Sequence, residues 1–171
     1  MANTLTRAEN FDGRILGYTA INIDATQESY TVTNTMAHTD ANHKVIFTAP
    51  PSGKVEIFVS FSVISTRILW LKLGLSDGTV IGGHSPIDFP NSDDVTNEHT
   101  IMDVQIEGYA RVVNHRWVVE GLTAGTEYIW FLGAVGEQSS RITMWWGGAS
   151  TGRYAPFIMK ATALPATITT E

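Results

Sequence analysis

The chain of 171 residues contains no cysteine, so disulfides, thiolate zinc sites and a cysteine nucleophile are all excluded. Charge is scarce as well. Asp, Glu, Lys and Arg make up 16% of the residues, against about 25% in a typical soluble domain. A surface with so few charges is expected to be covered in part by something other than water, most simply sister subunits. The balance of charge is −6, and a general nucleic-acid binder would present a basic face instead. No stretch reaches the 18 or so uninterrupted apolar residues of a membrane helix. The first ten residues lack the apolar centre of a signal peptide, so synthesis in a cytoplasm without classical secretion is expected. No helical period of apolar residues stands out anywhere.

What is present is a strand pattern. Val55, Ile57, Val59, Phe61 and Val63 alternate with Glu56, Phe58, Ser60 and Ser62. A period of two over nine residues is the mark of a half-buried antiparallel strand. Similar runs begin near Ile15, Tyr30, Lys44, Ile68, Thr79, Thr100, Tyr109, Tyr128, Arg141 and Phe157. Breakers separate them, strongest at Ala49-Pro50-Pro51-Ser52-Gly53 and at Gly121 to Gly125. Roughly ten strands spaced by turns predict an all-β antiparallel sandwich, jelly-roll-like or immunoglobulin-like. Residues 1–43 read as an extended arm with outer strands, 44–165 as the sandwich domain, and 166–171 as a Thr-rich tail.

The organising stretch is Trp117 to Gly136, a strand, a tight corner and a strand. Leu122, Thr126 and Tyr128 occupy the positions of a tyrosine corner, in which the ring packs inward and the hydroxyl returns to upstream backbone. The segment resembles the Leu-x-Pro-x-Thr-x-Tyr corner of fibronectin type III and related sandwiches, with Ala124 where proline is usual. Such a corner implies a topology and no activity.

Candidate chemistry is thin. The five histidines are scattered without metal-ligand spacing and read as isolated exposed side chains. Asp93, Asp94, Glu98, His99 and Asp103 gather around the long 82–98 loop, but without the carboxylate spacing of a calcium loop. No Gly-x-Ser-x-Gly supports a serine nucleophile, and neither Gly82-Gly83 nor Gly147-Gly148 precedes a lysine as a phosphate loop would. Neither a catalytic residue nor a cofactor is assigned. Aromatic residues are the remaining signal. Of the adjacent Trp145 and Trp146, one must face outward. An outward Trp145 near Arg141 or Arg153, or Trp70 on its own strand, could stack on a sugar or fill a partner's pocket. Trp130 and Phe131 point to opposite faces, so their strand needs cover on both sides, for which an intersubunit contact is the expected source.

Taken together, Phe47 to Ile57, the Trp117 to Ala134 corner, Trp146-Gly147-Gly148 and Pro156 to Pro165 resemble small β-sandwich virion proteins of tailed bacteriophages. The resemblance implies a non-enzymatic structural protein of the virion, made in the host cytoplasm. It implies a homo-oligomer, with a trimer favoured, that decorates the major capsid protein or joins the tail proteins. The alternative is a tail or fibre module that binds a host glycan.

Overall fold

The computed structural model describes residues 13–22, 27–66, 69–75, 99–104, 110–148 and 154–166, the 99–104 segment by its strand backbone. Eleven strands run through these residues, and no helix does. They are β1 (Ile15–Ile21), β2 (Glu28–Thr31), β3 (Ala37–His38), β4 (Lys44–Thr48), β5 (Val55–Ser65) and β6 (Leu69–Leu75). After these come β7 (His99–Val104), β8 (Arg111–Val119), β9 (Glu127–Gly136), β10 (Ile142–Trp146) and β11 (Phe157–Ala163). The chain is an all-β sandwich of two antiparallel sheets, as the alternation predicts.

Strand β5 is the axis of the first sheet. Along one edge it pairs with β8 over nine consecutive residues, from Val55 opposite Val119 to Val63 opposite Arg111. Its other edge is shared end to end, by β11 at Ser60 to Val55 and by β10 at Ser62 to Ser65. Strand β1 then lies outside β11, and β2 outside β10. In the second sheet β9 plays the same part, flanked by β6 on one edge and by β4 and β3 on the other. Strand β7 pairs with β6.

The core lies between these sheets. The five alternating residues of β5 are all at most 1% exposed. They meet Leu69, Leu71 and Leu73 of β6, Trp130 and Leu132 of β9, and Ile142, Met144 and Trp146 of β10. Each side chain of this size contributes about 1.5–3 kcal/mol by leaving water.

Both breakers read from the sequence meet at one end of the sandwich. Leu122 N–H donates to Gly53 O at 3.1 Å, Gly125 N–H to Ala49 O at 2.9 Å, and Ala49 N–H to Thr126 O at 2.9 Å. Gly53 has φ +65°, and an added Cβ would lie 2.6 Å from the Leu122 oxygen, so glycine is required there twice over. Within the corner, Thr123 N–H donates to the Tyr128 hydroxyl at 3.1 Å, while the Tyr128 ring lies 6.1 Å from that of Phe47. Tyr128→Phe deletes the acceptor and nothing else. Because Thr123 is exposed, water can replace part of the bond, and a loss of about 1 kcal/mol in urea unfolding is expected.

Two sequence readings are corrected. His43 is fully buried rather than an exposed histidine. It continues the inward parity of Val45 and Phe47, so its side chain enters the core with theirs. The second face of β9 also finds cover within the chain. Met36 packs on Ile129 and Phe131, and the His38 ring lies 4.7 Å from that of Phe131. That cover needs no neighbouring subunit, because the chain before β4 folds back beside β9.

Of the expected arm, residues 1–12 lie outside the described residues, as do the 82–98 loop, Arg153 and residues 167–171 of the tail. Among the described residues of that segment, β1, β2 and β3 belong to the sheets.

Candidate functional site

The outward face of the first sheet carries Tyr18, Phe58 and Trp145, and register fixes their neighbours. Four strands contribute one row: Tyr18 opposite Lys160, Lys160 opposite Phe58, and Phe58 opposite Arg116. The Lys160 ammonium is 5.0 Å from the centre of the Phe58 ring, and the Arg116 guanidinium is 5.6 Å from it. Both lie within the range of cation–π attraction. Arg116 also reaches Glu56 at 3.6 Å. Phe58 is thus occupied by cations of its own chain.

Trp145 does face outward, opposite Ser62 on one side and Ser29 on the other, while Trp146 is buried. Tyr154 stacks with the indole at 5.4 Å and 16° between the ring planes. Arg141 immediately precedes β10, four residues from Trp145, about 13 Å at the usual rise per residue. Its carbonyl oxygen accepts a hydrogen bond from Thr66 N–H at 3.1 Å. Trp70 belongs to the other sheet's outward face, where the Lys72 ammonium lies 5.4 Å from its ring. The two tryptophans therefore form separate features rather than one platform.

Exposed apolar side chains mark two borders of the sandwich. Along the first, β1 closes onto β4, and Ile15, Tyr18 and Ile46 are 52%, 55% and 44% exposed. Two shallow grooves flank this seam, one of about 470 Å³ beside Arg14, Ile15 and Pro51 and one of about 510 Å³ beside Tyr18, Asn42 and Ile46. The second border is β8, where Val112 and Val118 are 54% and 53% exposed. Scattered apolar residues on a surface are ordinary, but two lines of them at sheet margins suit contact with other molecules.

His43 is the one strongly perturbed titratable group among the described residues. Its ring lies 3.9 Å from Phe157 in a parallel stack and 4.4 Å from Trp146 edge-on. Nδ1 is 2.7 Å from the Thr39 hydroxyl, and that hydroxyl is 3.1 Å from the Leu132 carbonyl oxygen. Both bonds form at once only if Nδ1–H donates to Thr39 and Thr39 donates to Leu132. Nε2 then carries no proton, and it has no hydrogen-bond partner in its buried position. Burial among apolar rings pushes the pKa down to about 3, with Asp40 opposing the shift and His38 adding to it. This neutral imidazole, enclosed on every side, ties the loop between β3 and β4 to both sheets.

Among the described residues no three His, Asp or Glu side chains come together as a metal site. No family model matches the chain, and no curated protein matches it in sequence.

Proposed function

We propose that this chain is a non-enzymatic structural protein of a tailed-phage virion, most simply a capsid decoration protein that works as a homo-oligomer. The observation that carries the reading is the placement of exposed apolar residues along two borders of a β-sandwich poor in charge. The resemblance to virion sandwiches supplies the setting. A decoration protein stabilises a shell by binding the assembled lattice in preference to its free subunits, which is mass-action linkage. Neither an active site nor a cofactor is required, and the major capsid protein or tail proteins are the partners.

Light scattering on the purified protein, together with co-sedimentation on bare capsids and tails, tests this. Saturable co-sedimentation and a higher capsid melting temperature are expected. A monomer that ignores both particles overturns the proposal, as does turnover in esterase or glycosidase assays.

The stacked pair of Trp145 and Tyr154 favours a second reading, a host-glycan module on a tail fibre. On that reading a glycan array gives a sugar-dependent signal that Trp145→Ala reduces at least tenfold. An array with no such signal from the wild-type protein retires it.

A further inference from the structure

We infer that β8 is a self-pairing edge, through which two copies of the chain join their first sheets into one continuous sheet about a twofold axis. Sheet edges present unpaired N–H and C=O groups, and most edges of this molecule are protected in ways proteins commonly use. Strand β1 is irregular between Ile15 and Gly17 and is closed off by β4. Strand β2 has four residues. The β3–β4 border is interrupted between His38 and Lys44, and the pairing of β7 with β6 shifts register at Leu71. Strand β8 has none of these devices. It runs straight for nine residues in unbroken register with β5, contains no proline, and no strand among the described residues pairs with its outer edge.

The occupant follows from the strand's own sequence. A twofold axis perpendicular to the sheet keeps each face on its own side, so only registers that pair residues of like parity are allowed. Centring the axis on Arg116 would set two guanidiniums against each other. Centring it on Asn114 would set Val112 against Arg116. Centring it on His115 matches all nine residues. Val112 then faces Val118 of the second copy, Asn114 faces Arg116, and both exposed valines are covered in each copy. This register removes the largest apolar exposure on the strand, opposes no like charges, and leaves Arg116 free to keep Glu56. A second copy of this chain is therefore the partner that β8 fits. Such a contact is isologous. It gives a dimer by itself, or joins two rings into one closed assembly.

The absence of native cysteine makes the register directly testable. In the full-length double variant Val112→Cys/Val118→Cys, mild oxidation is expected to link at least half of the chains into dimers. The two positions within one chain are six residues apart along the strand, about 20 Å, and cannot bridge. Neither single variant is expected to link, because each cysteine then faces a valine. Light scattering supplies an independent reading. Val112→Lys/Val118→Lys places like charges opposite each other and should halve the mass in solution, while Val112→Lys/Val118→Glu should restore it. Both valines are more than half exposed, so circular dichroism of these variants should match the wild-type protein. Equal linking by the single and double variants, or a mass unmoved by the lysine pair, overturns the inference. The pairing stands apart from the virion reading: a chain that binds no capsid can still pair, and one that fails to pair can still bind a shell through the β1–β4 border.

Discussion

Acidification from pH 7 to pH 4 is expected to remove about 3 kcal/mol of stability through His43 alone. In the unfolded chain this imidazole titrates near 6.5, and in the folded protein at about 3. Between those values the unfolded state binds a proton that the native state refuses, so stability falls as pH falls through that window. Above pH 7 the contribution is complete and flat. Each unit of the interval corresponds to 1.36 kcal/mol, from which the estimate of about 3 kcal/mol follows. Charging the ring would place a cation between Trp146 and Phe157 with a single hydrogen-bonding neighbour. Carboxylates elsewhere also titrate, so the informative quantity is a difference between proteins. Urea unfolding of the wild type and of His43→Phe at pH 7, 5.5 and 4 isolates it. The phenyl ring keeps the stack on Phe157 but cannot take a proton, so the variant should start less stable at pH 7 and lose about 3 kcal/mol less on acidification. Parallel losses in the two proteins would show that His43 is not the acid-sensitive group.

A single methyl group at Gly17 is expected to cost about 3 kcal/mol, at the upper end of the usual penalty for overpacking. Here β1 crosses the open side of the sandwich and lies against β4. A Cβ built on Gly17 overlaps the Ile46 carbonyl oxygen and sits 3.0 Å from a methyl of Val45. Backbone cannot rotate away as a flexible side chain would, so one strand must shift, and β1 is the outer one. Movement of β1 would open both grooves at the seam. Gly121→Ala is the comparison, because Gly121 has positive φ (79°), which Gly17 does not, and has nothing within 4 Å of the added atom. Its cost is that of the left-handed backbone, about 1 kcal/mol. Thermal or urea unfolding should rank Gly17→Ala well below Gly121→Ala in stability. A Gly17→Ala cost well below that of Gly121→Ala would mean that the close approach of β1 to β4 contributes nothing.

The inward and outward sets of β5, β6, β10 and β11 are all legible in the one-dimensional pattern, and so is the corner before Tyr128. The outward aim of Trp145 was legible too, given a buried Trp146. His43 carried a usable signal, since positions 43, 45, 47 and 49 share one parity and all are buried. The polar residues before it, Thr39 to Asn42, disguise that run as loop. Nothing in the pattern reveals that Phe58 lies between Lys160 and Arg116, which are separated by 44 positions in the chain and come from strands on opposite edges of β5. Nor could it show that Met36 and His38 cover the far side of β9.

Local sequence pattern set the inward and outward faces of the long strands and the turns at the Pro- and Gly-rich breakers. Alternation is local, because successive side chains on an extended backbone take opposite faces whatever lies alongside. Only the tertiary structure decided which strands are neighbours, which faces are shared and which edge stays open. Every strand edge offers the same N–H and C=O groups, so the choice among partners is made by the packing of the whole core. That choice joined β5 to β8, β10 and β11, buried His43, and left Val112 and Val118 facing outward on an edge that no strand among the described residues pairs with.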